Sequence, residues 1–160
     1  MTVTRDFTIA VFVVDRDRVL LLWHNKLQRW LPPGGHSEPN ELPDEAAVRE
    51  VWEETGLEVA LVGETGPNDG VRHLVRPAGI QLEEIIAGEH QHIDLVYLAV
   101  PVGSRDLVGN GEGSRLGWYS ASEAVELGLT EEIANWVDRA LRVLGTKNVH
   151  RSAGTDKAGE

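Results

Sequence analysis

Cysteine is absent from all 160 residues, which excludes disulfides and zinc sites built on thiolates. No apolar run approaches the roughly 20 residues that a membrane-spanning helix needs. The first residues, MTVTRDFTIAVFVVDRDRV, lack the charge order and the cleavage site of a signal peptide. Positive charge is scarce: 15 Lys and Arg stand against 26 Asp and Glu, for a formal net charge of -11. That balance argues against broad contact with a nucleic-acid backbone or an anionic lipid surface. It would also repel a phosphorylated small molecule, unless bound cations reverse the sign locally. No internal repeat is visible. These absences lead to the expectation of a cytoplasmic protein with neither a membrane nor a nucleic acid as partner.

What is present suits one domain with a proper core: 41% of the residues are apolar. Residues 7–14 (FTIAVFVV) are β-branched and aromatic-rich, the mark of a buried strand. A polar turn, Asp15-Arg16-Asp17, leads into a returning strand at residues 18–23. Further strands are expected at residues 57–62, 72–75, 80–86, 93–100 and 116–119, with turn-rich loops at 63–70 and 103–113. A helix over residues 121–127 is capped by Ser120 or Ser122, and a last one over 130–144 has Thr130 as N-cap and Gly145 as C-cap. In the last helix Ile133, Trp136, Val137, Ala140, Leu141 and Leu144 recur at helical spacing, which places Trp136 in the core. The domain is expected to span residues 1–145, and residues 146–160, polar with little to bury, to form a disordered tail. Strands, one helix, more strands and then helices make an α+β pattern.

The stretch with the most chemistry is residues 35–57, GHSEPNELPDEAAVREVWEETGL. Pro43 suits the first turn of a helix, Asp44 and Glu45 complement its dipole, and Gly56 suits a left-handed cap. A short helix over residues 43–55 follows. On it Glu50, Glu53 and Glu54 fall at i, i+3 and i+4, which puts three carboxylates on one face. Such like-charge pairs cost about 0.2–0.5 kcal/mol each, a cost that a divalent cation among them would offset. Oxygen-only ligands suit Mg²⁺ or Mn²⁺. Arg49, four residues before Glu53, can pair with it and orient it. Ala46, Ala47, Val48 and Val51 supply an apolar surface for the core.

Gly35, Glu41 six positions on, and Arg49-Glu50-Val51-Trp52-Glu53-Glu54-Thr55-Gly56-Leu57 match the Nudix box at every defined position. The sequence thus resembles the Nudix hydrolase superfamily. Trp30, Pro33, Gly34 and Gly35 also match the strand end that commonly precedes the box, but Pro32 stands where a large apolar residue is usual. Pro32 cannot donate to a ladder, so this strand end is expected at an edge or bulge. The resemblance implies an α/β/α sandwich with a mixed, partly barrel-like sheet and a catalytic loop–helix–loop. It implies hydrolysis of a nucleoside diphosphate linked to another moiety, by a metal-activated water. By position, Glu50, Glu53 and Glu54 would bind the metal, joined by the carbonyl of Gly35 and by Glu41. Glu53 is favoured as general base, and Glu50 and Arg49 complete the catalytic group, Arg49 by orienting a carboxylate.

Beyond the box, Glu83, Glu84, Glu89, His90 and His92 are available as an added carboxylate or base, with His90 and His92 alternating onto one face of a strand. Lys26, Arg29, Arg72 and Arg76 are the cations considered for phosphate. Trp30, Trp118, Tyr97 and Phe12 are the aromatics considered for a base, while Trp52 is expected to pack behind the helix. Of these, Arg29, Trp30, Arg72 and His92 are taken as the substrate-binding set. Residues 71–74 carry neither the proline typical of some ADP-ribose hydrolases nor the tyrosine of diadenosine polyphosphate hydrolases. A nucleoside triphosphate or modified nucleotide is therefore preferred, with nucleotide sugars or ADP-ribose next. A non-catalytic binding module of the same fold is the alternative, although such relatives usually lose box carboxylates that this chain keeps. An isopentenyl diphosphate isomerase would need a cysteine, and a decapping enzyme a basic groove. Dimers are common among Nudix relatives, so a homodimer is an expectation from the resemblance alone.

Overall fold

The computed structural model describes residues 2–109 and 113–146. The expected tail therefore lies outside the described residues except for Thr146, whose hydroxyl donates to Asp17 Oδ1 (2.8 Å). The elements are β1 (Thr4–Asp15), β2 (Arg18–His24), β3 (Arg29–Leu31), β4 (Gly34–His36), α1 (Pro43–Thr55), β5 (Val59–Val62), β6 (Gly79–Ile86), β7 (His90–Pro101), β8 (Gly113–Ser120), α2 (Ala121–Glu126) and α3 (Glu131–Leu144).

Two long strands carry the sheet. β1 and β7 run parallel, in register from Thr4↔His90 to Val13↔Ala99. On the far side of β7, β6 covers the first half and β5 the second. On the far side of β1, β4 pairs at Thr8–Ala10 and β2 at Val14–Asp15. β2 continues to β3 and β8, and the sheet is mixed and open, not closed on itself.

Alternation along the strands divides the core in two. Ile9, Val11, Val13, Leu20, Leu95, Tyr97 and Ala99 face α1 and pack with Ala46, Ala47, Val51 and Leu57. Phe12, Val14, Val19, Leu21, Val96 and Leu98 face the other way and pack with Ile133, Val137 and Ala140 of α3. Both faces of β1 are thus covered, which is why its sequence is continuously apolar. The result is α1, sheet, α3: the helix–sheet–helix sandwich of an α+β chain.

Two expectations need correcting. Residues 72–75 form no strand; β5 and β6 fill the edge of β7 opposite β1, and this run pairs with neither. Gly145 caps α3 as expected, in an extended conformation (φ -63°). Trp52 does not pack behind α1; it is 54% exposed.

At the other end, Ser120 begins α2 through a capping box with Glu123, and Arg18 binds the Glu123 carboxylate (2.6 Å). Replacing the Ser120 hydroxyl removes the acceptor for an orphan N–H. Ser120→Ala is expected to cost about 1 kcal/mol, measured by urea unfolding; an unchanged midpoint would mean the cap is redundant.

Candidate active site

α1 begins at Pro43 with Asp44 and Glu45 in its first turn and ends on Gly56 in the left-handed region (φ 70°), whose N–H donates to Trp52 O (2.8 Å). β4 lies beside the helix because it pairs with β1, and this brings two glycines against the carboxylates. The N–H of Gly34 donates to Glu54 Oε2 (2.9 Å). A Cβ on Gly35 would lie 2.8 Å from Glu50 Oε1, so only glycine allows the carboxylate this close.

Arg49 is the hub. Its Nε and Nη2 hold Glu41 in a two-point bond (2.6 and 2.9 Å), its Nη1 reaches Glu50 Oε1 (2.8 Å) and Glu53 Oε2 (3.0 Å), and Nη2 also donates to the His36 carbonyl (3.1 Å). The Arg49 bond, helped by the Glu38 N–H, holds the Glu41 carboxyl below the usual carboxylate range, against a smaller opposing effect of burial. Burial pushes Glu50 up, and Arg49 only partly counters it. With three carboxylates on it, the guanidinium is held charged more firmly than usual. Glu50 is largely covered, with 12% of its side chain exposed, whereas Glu53 is 53% exposed and faces solvent.

Glu41, Glu50, Glu53, Glu54 and Gly35 are therefore brought together. The donor set is all oxygen, one member is a largely covered carboxylate, and the glycine cradle leaves no room for a side chain. These residues fit a hard divalent cation of the Mg²⁺ or Mn²⁺ type.

The expected substrate-binding residues fare differently. Trp30 is 5% exposed and packed edge-on against Trp23 and Tyr119, with the Arg115 guanidinium 5.3 Å above its ring. It has no open face for a base, which corrects that expectation; Phe12 and Tyr97 are likewise buried. Trp118 is partly buried on the α1 side. Arg29 is committed to Glu83 (3.2 Å). Arg72 binds Glu45 (3.0 Å) and approaches Asp44 (3.8 Å) at the start of α1. Both cations pair with carboxylates of the chain itself. The exposed Trp52 instead lines a groove of about 670 Å³ with Val48, Leu61, Val75, Arg49 and Arg72.

His92 stands in a group the sequence did not disclose. Register places it beside Asp6, and His90 and His36 come to the same spot from β7 and β4. The His92 ring meets His36 and His90 edge-on, at centroid separations of 4.8 and 5.1 Å. Burial, and then the neighbouring imidazoles, lower its proton affinity. The His90/His92 alternation was visible in sequence; Asp6 and His36 were not, because neither strand pairing can be read locally.

A mixed sheet between helices, with an Arg-centred carboxylate cluster on one of them, defines a Nudix-type hydrolase fold. A family model described as NUDIX domain matches residues 4–140, and the chain belongs to that family. A crystal structure described as a hydrolase of the NUDIX family from Clostridium perfringens is 37% identical, with a TM-score of 0.76, over 89% of this chain and 99% of that one. The mouse protein named diphosphoinositol polyphosphate phosphohydrolase 3-alpha is 54% identical over 46 residues, 28% of each chain. A Bacillus subtilis (strain 168) protein named "Putative 8-oxo-dGTP diphosphatase" is 38% identical over 63 residues, 38% of this chain and 42% of its own. The chain thus spans well under two thirds of the length of these two curated relatives. Among the described residues no helix is long and apolar enough to cross a membrane.

Proposed function

We propose that this protein is a metal-dependent pyrophosphohydrolase. It splits a phosphoanhydride bond in a nucleoside diphosphate linked to another moiety, with nucleoside triphosphates or modified nucleotides preferred and nucleotide sugars or ADP-ribose next. The observation that carries the reading is the convergence of Glu41, Glu50 and Glu53 on Arg49 beside the Gly35 cradle. Glu50, Glu53 and Glu54 would hold Mg²⁺ or Mn²⁺, with Glu41 and the Gly35 carbonyl next to them. When bound, the cation supplies Lewis-acid polarisation of phosphoryl oxygens and a lowered pKa for water. Glu53, the solvent-facing carboxylate, takes the proton of the attacking water. Arg49 keeps Glu53 and Glu50 aimed while neutralising their repulsion. The remaining work is positioning and charge neutralisation, as in phosphoryl transfer generally.

The mouse relative's name points to a different class, a polyphosphorylated inositol. Such a ligand wants several uncommitted cations, yet Arg29 and Arg72 are each bound to carboxylates and the chain carries a net charge of -11. This favours a nucleotide with fewer phosphates, the class named in the Bacillus relative.

The reading is tested by phosphate and nucleotide release from a panel of nucleoside triphosphates, oxidised nucleotides, nucleotide sugars, ADP-ribose and a diphosphoinositol polyphosphate, with Mg²⁺ or Mn²⁺ and with chelator. Turnover of one nucleotide class, abolished by chelator, is expected. Failure on every phosphoanhydride, with metal bound and the fold intact, would favour the binding-module alternative.

A further inference from the structure

We propose that Asp6, His90 and His92, with His36 beside them, form a second metal site, for a transition ion such as Zn²⁺, Ni²⁺ or Co²⁺. It would sit at the open end of the β1–β7 pair and be chemically distinct from the carboxylate cluster on α1.

The placement comes from the sheet. Asp6 lies opposite His92 in the parallel β1–β7 ladder, His90 is two residues earlier on the same face, and His36 enters from β4 opposite Thr8. One ligand atom each from Asp6, His90 and His92 lie within 4.8 Å of one another. Asp6 Oδ2 is 3.5 Å from His90 Nε2 and 3.6 Å from His36 Nε2. Ligands of a tetrahedral ion with bonds near 2.0–2.1 Å sit about 3.4 Å apart. Two of the contacts already have about that spacing.

One hydrogen bond holds the His90 ring in place. The Thr4 hydroxyl is hydrogen-bonded to His90 Nδ1 (2.8 Å) and lies 3.2 Å from the Glu89 carbonyl oxygen. The other ring nitrogen, Nε2, faces the Asp6 carboxylate. A threonine holding the far nitrogen is also the outer-shell support that metal-bound histidines usually have. Glu83, opposite His92 on β6, adds negative charge beside the site.

Imidazole-rich ligation selects later transition ions, whereas oxygen-only ligation selects Mg²⁺ or Mn²⁺. The two clusters should therefore sort metals. They are joined through one residue: the His36 carbonyl is held by Arg49, while its side chain faces Asp6.

The test is Co²⁺ titration of the full chain without an affinity tag, followed by equilibrium dialysis and by the visible absorption of the ion. Three proteins are compared: wild type, Glu50→Gln/Glu53→Gln/Glu54→Gln, and His90→Asn/His92→Asn. The carboxylate variant is expected to keep one equivalent with a nitrogen-ligated spectrum. The histidine variant should bind that equivalent at least 100-fold more weakly while still binding Mn²⁺. Thr4→Val removes no ligand and should weaken binding by about tenfold, the lower end of outer-shell effects. If the double histidine variant does not fold, Asp6→Asn, at an exposed side chain, takes its place with the same expectation. No Co²⁺ bound by wild type, affinity in the histidine variant within about threefold of wild type, or loss of the equivalent with the box carboxylates would each overturn the proposal.

Discussion

Glu53→Gln is expected to lower turnover by about 10²-fold or more, the usual scale for a general base, with the melting temperature nearly unchanged. The two halves of that expectation have separate grounds. Glu53 is 53% exposed, and the tie described for it is the i,i+4 pair with Arg49. Such a pair is worth only about 0.3–0.5 kcal/mol. Removing one anion from a face shared with Glu50 also relieves repulsion. The amide retains shape and hydrogen bonding but cannot take a proton. Stopped-flow or steady-state release with saturating Mg²⁺, beside a thermal melt, separates the effects. Near-wild-type turnover would remove Glu53 from the chemistry, and a large fall in melting temperature would make its role structural.

The adjacent glycines should respond in opposite ways. A Cβ on Gly34 would lie 2.0 Å from the Ile9 carbonyl oxygen, a backbone atom inside the β1–β4 ladder. Something in the sheet must shift, so Gly34→Ala is expected to cost about 1–3 kcal/mol or more. At about 2–4 °C per kcal/mol for a domain of this size, the melting temperature falls by several degrees. The Gly34 N–H to Glu54 is displaced as well. At Gly35 the nearest atoms to the added carbon are those of the Glu50 carboxylate, the far end of a flexible side chain. Gly35→Ala should therefore melt close to wild type but bind Mn²⁺ more weakly and turn over more slowly. A stable Gly34→Ala, or a fully active Gly35→Ala, would contradict the packing described here.

The catalytic helix was legible because its limits are set locally. Pro43 starts it, Gly56 ends it, and the spacing of Glu50, Glu53 and Glu54 follows from the helical repeat alone. Arg49 was legible as a partner of Glu53 for the same reason. Its two-point hold on Glu41, eight residues away, depends on the path of the intervening loop. Strand identity was readable where apolar residues run continuously, as in β1, yet partner choice was not. Residues 72–75 have a strand's composition but pair with no strand. Trp30 has the composition of a stacking platform, but its register opposite Trp23 and the Arg115 above it enclose the ring. The histidine group is the clearest case: two of its members were noticed, and the other two arrive through β1 and β4.

The pairing of β1 with β7 has a consequence for how the chain is made. The contact between Thr4 and His90 spans 86 residues. At synthesis rates of about 5–20 residues per second, β1 emerges roughly 4–17 s before the start of its main partner. During that interval β2 and β4 can pair with one edge of the strand, while the edge that β7 will take stays open. The same long closure makes late, cooperative assembly the expected route, slower than for a protein of local contacts. The strand that centres the finished sheet is thus an adhesive segment of the nascent chain until its partner has been made.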